Sequence, residues 1–380
     1  MKVLHTISGL NCSSGGPTAC TYNLLKGLRS GGVEADVLTL KPLDPADKIV
    51  GDDDFIIAVD NDAANPFVYS RNFRDYIKMH GKYDIYHANG LWTYPTYITA
   101  KAARKAGKPY IIAPHGMLYP QGLVSKPWKK RLALALFQKN DLDHAAALQA
   151  TCVQEAEYIS ALGFKKPIAI IPNSLPTNDI KPVRETGNSI RKFGFVGRIH
   201  PIKNIDVLLA AWAKLGAKTK DCELVIVGDG DAVYKNRLME FVSENSLENV
   251  RFPGFLTGKE LTGTVRSFDY QMLVSKSENF GMVVPEALIN GIPCIATEGT
   301  PWEELNRYGC GWWIKDGIEN LADTIAAAIE LPEEGRRKMG ARGREMIISN
   351  YSVNAVAEKM KRLYNWILEG GDNPDFIYHR

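Results

Sequence analysis

KVLHTISGLNCSSGGPTACTYNLLKGLR, residues 2–29, decides the fold. Lys2 to Ile7 is an apolar strand pattern, NCSSGGP is a glycine-containing turn, and from Thr18 to Arg29 apolar residues recur at helical spacing. Strand, glycine turn and helix open a βαβ unit, which commits the chain to a parallel sheet.

Short apolar runs follow at VEADVLTL, DDDFIIAVD, YDIYHAN, PYIIAPHG, AAALQAT and PIAIIPN, most of them separated by amphipathic segments of helix length. That alternation predicts a parallel sheet covered on both faces. Periodicity breaks at Ser174 to Ser189, where proline and charge concentrate and an interdomain linker is expected. A second series then begins with KFGFVG, continues through a helix from Ile205 to Lys214, and repeats at ELVIVG, NVRFPG, DYQMLVS and IPCIAT, with a further helix from Pro285. The expectation is α/β: two tandem Rossmann-like domains, residues 1–180 and 181–352. The last segment, Val353 to Leu368, carries Val356, Met360, Leu363, Tyr364 and Ile367 on one face. It either closes the second domain or crosses back, so that residues 353–380 complete the first.

Composition agrees with this scale. A chain of 380 residues suits two domains, and 45% hydrophobic with 23% charged residues is ordinary for a globular protein. No apolar run is long enough to span a bilayer, and MKVLHTIS lacks the basic start and cleavage site of a secretory signal, so a cytoplasmic location is expected. Six cysteines without a CxxC pair read as reduced structural thiols. Net charge is only +3, but residues 101–131 hold eight Lys or Arg and no Asp or Glu. Such a patch attracts phosphates or anionic lipid, although solvated helices also collect lysine.

Two stretches carry chemistry. In FVGRIHPIKNIDVLL a strand ends at Gly197 and delivers Arg198 and, five residues on, Lys203 to the carboxyl edge of a sheet, where α/β proteins bind ligands. Two cations there suit a diphosphate, though surface bases flanking a loop would read the same way. In SENFGMVVPEAL, Pro285 suits the first turn of a helix, which places Glu286 in that turn and Glu278 in the loop before it. Between them Phe280, Gly281 and Met282 can turn with their amides open to an anion. Carboxylates beside a diphosphate should face something neutral and rich in hydroxyls, such as a sugar or ribose. Alternatively, Glu286 merely complements a helix dipole.

These segments, with GGP at Gly15–Pro17, HANGLW at His87–Trp92, APHGML at Ala113–Leu118, IPNS at Ile171–Ser174 and VGDG at Val227–Gly230, resemble family 4 of the retaining glycosyltransferases (glycosyl transferases group 1) nearly end to end. The resemblance implies the GT-B architecture of two Rossmann-like domains facing a central cleft. It implies a nucleotide-diphosphate sugar as co-substrate, held mainly by the second domain, with Arg198 and Lys203 on the diphosphate, Glu286 on the ribose and Glu278 on the transferred sugar. Phe280, Gly281, Met282 and Val283 would offer amides to the phosphates, the Gly15–Gly16 turn would approach from the first domain, and His115 would reach the donor sugar near its reacting carbon. Retention would proceed by front-face attack without metal or other cofactor, toward a glycan or lipid-linked glycan acceptor, in cell-surface polysaccharide biosynthesis. Two rivals share the donor: a nucleotide-sugar epimerase and a non-catalytic nucleotide-sugar-binding subunit. Asn204, where glycine is frequent, and Val274, where proline is frequent, depart from the family pattern.

Asp52 and Asp54 spell DxD but read as a solvated turn, and His87, His115 and His200 lack metal-ligand spacing. Trp92, Tyr94 and Tyr97 could line the acceptor side, since aromatic faces stack on sugars, or pack instead. Trp128 with Lys129, Lys130 and Arg131 suits peripheral contact with the anionic inner face of the membrane; no nucleic-acid partner is expected.

Overall fold

The computed structural model describes residues 1–12, 15–63, 65–124, 127–177 and 190–379. They divide into two units, Met1–Pro176 with Tyr351–Arg380, and Thr177–Asn350. The linker expected over Ser174–Ser189 lies outside the described residues from residue 178 onward.

In the first unit seven strands, β1 (Lys2–Gly9), β2 (Glu34–Leu40), β3 (Ile56–Val59), β4 (Ile85–Asn89), β5 (Tyr110–Ala113), β6 (Ala147–Ala150) and β7 (Ile168–Ile170), pair in the order β3-β2-β1-β4-β5-β6-β7. Every pairing between them is parallel. The residues of β4, β5 and β6 are buried throughout, as strands covered on both faces must be.

The opening stretch becomes the central strand β1 and the helix Gly16–Ser30. Against that helix packs the C-terminal helix Val353–Glu369, whose Val356, Met360, Leu363 and Tyr364 join Leu24, Leu25 and Leu28 in one core. Gly27 sets the separation: a Cβ there would stand 2.6 Å from Val353 Cγ1, inside contact distance. The tail beyond the helix hydrogen-bonds to the edge strand β7, Ile170 N donating to Phe376 O and Tyr378 N to Ile168 O, each at 2.8 Å. Of the two placements open to the final helix in the sequence, it takes the first unit.

The second unit holds β8 (Arg191–Val196), β9 (Cys222–Val227), β10 (Val250–Gly254), β11 (Tyr270–Leu273), β12 (Cys294–Thr297) and β13 (Gly311–Ile314), in the order β10-β9-β8-β11-β12-β13, again all parallel. Phe193, Phe195, Leu208, Leu209 and Trp212 fill its core with Ile226, Met272 and Ile295. Both sheets are wound alike, reversing direction between β1 and β4 and between β8 and β11. In open α/β sheets ligands bind at that reversal, outside the carboxyl ends of the strands.

Candidate active site

At the β8 end of the second reversal, residues 197–199 run on beside residues 228–230, which follow β9. Gly197 N donates to Val227 O (3.0 Å), Ile199 N to Asp229 O (2.9 Å) and Asp231 N to Ile199 O (2.8 Å). A Cβ on Gly228 would stand 1.9 Å from Gly197 O, and one on Gly230 2.3 Å from Ile199 O. The glycines of VGDG therefore let two loops lie side by side and fix the strand end that carries Arg198. Arg198 is exposed and makes no hydrogen bond or ion pair among the described residues.

Lys203 closes a short 3-10 turn, Pro201–Lys203, capped by His200, whose Nδ1 accepts from Ile202 N at 3.2 Å. Asn204 next adopts the left-handed conformation, φ 59° and ψ 31°, before the helix Ile205–Leu215. Asn is among the few residues besides glycine that visit this region readily, so the departure from the family pattern keeps the backbone path. Its amide donates to Asp316 Oδ1 at 2.9 Å.

On the β11 side, Lys276 N donates to Ile202 O and Glu278 N to Gly299 O, each at 2.9 Å, which ties the loop to the β8 edge and to the loop after β12. Lys203 Nζ lies 2.5 Å from Glu278 Oε2, with side-chain exposures of 18% and 19%, and Ser275 Oγ donates to the same oxygen at 3.2 Å. The family resemblance implies separate duties for these two residues; folding joins them into one pair. Phe280 is buried edge-on against Trp302, ring centres 5.2 Å apart, and Trp302 Nε1 donates to Phe280 O at 2.5 Å. That anchorage fixes the turn Phe280–Gly281–Met282 ahead of the helix Val283–Ile289.

Glu286 lies in the first turn of that helix. Solvent reaches its side chain, yet the protein crowded around it strips hydration from the charged form and pushes its carboxyl up to about 7. If ribose hydroxyls donate to the carboxylate, binding favours the ionised form and lowers this raised pKa. Below about 7 binding then expels a proton, and affinity climbs as pH rises through that value and levels off above it. Calorimetry with a nucleotide sugar, whose bridging diphosphate does not titrate near neutrality, should show this rise, and Glu286→Gln should flatten it.

A cavity of about 390 Å³, within the range of small-molecule sites, opens beside Arg198 at the ends of β8, β9 and β10. Val196, Val227, Phe255, Leu256 and Leu261 give it apolar walls. Sequence reading missed this pocket. Its signal was FPGFLTGKEL, where Phe255 is apolar yet 74% exposed.

In the first unit Gly15 starts the helix Gly16–Ser30 with φ 78°, and the Cβ positions of Gly15 and Gly16 are open. His115 follows β5 in a left-handed turn, φ 51° with Gly116 at 78°. The buried Glu155 carboxylate holds that turn, accepting from Gly116 N at 2.5 Å and from Thr151 N at 2.7 Å. The His115 ring is half-buried, donates from Nε2 to Asn89 Oδ1 at 3.1 Å, and is pushed by burial to about 4, so it is neutral at pH 7.

Tyr94 requires correction as an acceptor-side residue. It is 7% exposed and packs against Phe67, Tyr69 and Tyr97, so its faces are inside the core. Trp92 packs partly against the same core, its backbone N donating to Gln138 Oε1 at 2.9 Å. Trp128 is 66% exposed, near Leu132 and Leu136 at 51% and 70%, and Lys130 Nζ donates to Gly122 O. The side chains of Lys129 and Arg131 lie outside what is described. The acidic turn before β3 is absorbed internally: Asp53 accepts from Tyr22 Oη at 2.6 Å and Asp54 pairs with Arg29 at 3.3 Å.

Two parallel sheets of identical winding, the second carrying Arg198, Lys203 and Glu278 at its reversal point, define the GT-B class. Two family models match the chain in succession, the glycosyl transferase 4-like domain over residues 15–174 and glycosyl transferases group 1 over residues 178–346. The chain belongs to the group 1, family-4-type glycosyltransferases. It is 28% identical over 348 residues to the glycosyltransferase EpsF of Bacillus subtilis, a match spanning 86% of this chain and 87% of that one. Among solved structures it is similar to sucrose-phosphate synthase from Thermosynechococcus elongatus, with a TM-score of 0.78, 20% identity, and coverage of 98% of this chain and 100% of the other. It is also similar to Anabaena HepE, solved with UDP and glucose, with a TM-score of 0.72, 18% identity, and coverage of 96% and 99%. At these identities the structural likeness is one of fold. No described helix is long and apolar enough to cross a membrane.

Proposed function

We propose that this glycosyltransferase moves a hexosyl unit from a nucleoside-diphosphate sugar to a hydroxyl of a glycan or lipid-linked glycan, with retention and without metal, in cell-surface polysaccharide biosynthesis. The observation that carries this is the Lys203–Glu278 pair at the β8–β11 reversal, with an exposed, unpaired Arg198 at the end of β8 lining an apolar cavity. The cavity takes the nucleobase, Arg198 and Lys203 take the diphosphate, Glu286 takes the ribose, and Glu278 takes hydroxyls of the transferred sugar. Lys203 has three N–H donors, so one can stay on Glu278 while another turns to a phosphate oxygen. The amides of Phe280 through Val283 complete the phosphate contacts, and for Gly15, Gly16 and His115 of the first unit the family resemblance implies roles toward the phosphates and the sugar. That HepE was solved with UDP and glucose supports a donor of this kind.

As the bond from the anomeric carbon to phosphate breaks, its electron pair goes to the diphosphate. The acceptor oxygen forms the new bond on the same face and gives its proton to the departing phosphate oxygen. Fixed cations that tighten on the diphosphate as charge develops stabilise that transition state more than the ground state.

The test is a panel of UDP-, GDP- and ADP-sugars incubated with acceptor glycans in chelator. Release of free nucleoside diphosphate with an unchanged anomeric configuration in the product is expected. An epimerised sugar still bearing its nucleotide, or dependence on added metal, would contradict the proposal.

Peripheral attachment through Trp128, Leu132 and the basic run Lys129–Arg131 belongs to the same reading. Full-length protein should float with vesicles containing anionic lipid and lose most of that binding when Lys129, Lys130 and Arg131 become Ala. Equal flotation with neutral lipid, or no loss in the triple variant, would remove the membrane from the account.

A further inference from the structure

Beneath His115, at the centre of the first sheet, lie more buried polar groups than the transfer chemistry uses. His5 on β1 and His87 on β4 are completely buried, their rings stacked with centres 4.4 Å apart. Tyr364, arriving from the C-terminal helix, places its hydroxyl 2.8 Å from His5 Nε2 and 2.9 Å from His87 Nδ1. Asn89, at the end of β4, stands between this cluster and His115. Its Nδ2 lies 3.3 Å from Thr6 O, 3.5 Å from His87 O and 3.4 Å from His5 Nδ1, while its Oδ1 faces His115 Nε2 at 3.1 Å.

Proton positions follow from one fixed point. Two backbone carbonyls can only accept, so the Asn89 atom beside them must be the NH2 group, and the amide cannot turn over. The other end of Asn89 is therefore an acceptor, and His115 must present Nε2–H to it. The same NH2 donates to His5 Nδ1, which puts the His5 proton on Nε2, directed at Tyr364. The single tyrosine proton then goes to His87 Nδ1. Burial keeps the rings neutral, His5 at about 3 and His87 well below its ordinary value, so each carries one proton. That of His87 then sits on Nε2, which makes no hydrogen bond among the described residues.

We infer that Asn89, His5 and Tyr364 are positioning residues for transfer, a buried chain that locks His115 as the Nε2–H tautomer and leaves its Nδ1 lone pair, which has no partner among the described residues, to accept a hydroxyl of the donor sugar. This rests on the reading of His115 as a donor-sugar contact. It assigns that contact a direction: His115 accepts, and it supplies neither a proton nor a positive charge at neutral pH. It also gives the C-terminal helix a part in the site, since Tyr364 fixes the far end of the chain.

The test uses the full-length protein labelled with 15N-histidine, and long-range proton–nitrogen correlation spectra that separate Nε2–H from Nδ1–H rings. His115, identified by its loss in His115→Gln, is expected in the Nε2–H form. Asn89→Ala should bring in a population with the proton on Nδ1. It should also lower kcat roughly tenfold, the scale on which outer-shell partners act, with little change in KM for the nucleotide sugar selected by the UDP, GDP and ADP panel. Tyr364→Phe touches no substrate and removes one hydroxyl. It should move the His115 signals in the same direction by a smaller amount, which a purely structural role would not do. An Nδ1–H His115 in the unaltered protein overturns the inference, as does an unchanged tautomer in Asn89→Ala. Full transfer activity in His115→Gln with the tautomers as stated would instead overturn the donor-contact reading and leave the buried chain standing.

Discussion

Lys203→Ala lowers kcat/KM for the nucleotide sugar about a hundredfold to a thousandfold, the cost of losing one well-placed group that stabilises developing negative charge. The effect is large for two reasons that the structure supplies together. The variant removes a donor aimed at the reversal point of the second sheet, and it leaves the Glu278 carboxylate, 19% exposed, without the ammonium 2.5 Å away. An uncompensated carboxylate beside incoming phosphates repels them, so both the ground and the transition state suffer. Lys203→Arg should recover only part of the loss, because a planar guanidinium keeps the charge but not the compact ammonium geometry. Steady-state kinetics with saturating acceptor separate the terms, and a loss of less than about threefold would remove Lys203 from the diphosphate site.

Glu278→Gln should split binding from turnover. The neutral amide releases Lys203 from its ion pair, so nucleoside diphosphate binds as well as before or a few-fold tighter. Transfer nevertheless falls about a hundredfold, because the carboxylate that accepts from sugar hydroxyls in the transition state is gone. Titration of the variant with nucleoside diphosphate, set beside its kcat, checks this. Weaker diphosphate binding with kcat intact would reverse the assignment, making Glu278 a residue that merely orients Lys203.

The parallel sheets were legible because strands buried on both faces read as largely apolar runs, and β5, β9 and β12 each stand out that way. β13 was not, since Gly311–Ile314 sets a glycine and two tryptophans in four residues and carries no alternation. Arg198, Lys203, Glu278 and Glu286 were singled out by the family resemblance, because charge at a strand end or a helix start reads equally as surface bases or as a complement to a helix dipole. The joining of Lys203 to Glu278 could not, because it depends on Lys276 N reaching Ile202 O and aligning two loops 75 residues apart. Tyr94 misled for the opposite reason: an aromatic at a helix start looks the same in sequence whether its ring meets solvent or, as here, Phe67 and Tyr69. Asn89 lay within HANGLW in plain view, but its role is set by the carbonyls of Thr6 and His87, which sequence does not place.

The central claim is that the second unit holds a nucleoside diphosphate between Arg198, Lys203 and the cavity at Phe255. Thermal unfolding of the full-length protein with UDP, GDP and ADP, in chelator, tests it most directly. One of the three, at a hundred times its dissociation constant, should stabilise the protein by about 2.7 kcal/mol. That shift should disappear in Lys203→Ala. No shift with any of the three, or an equal shift in the variant, would contradict the claim.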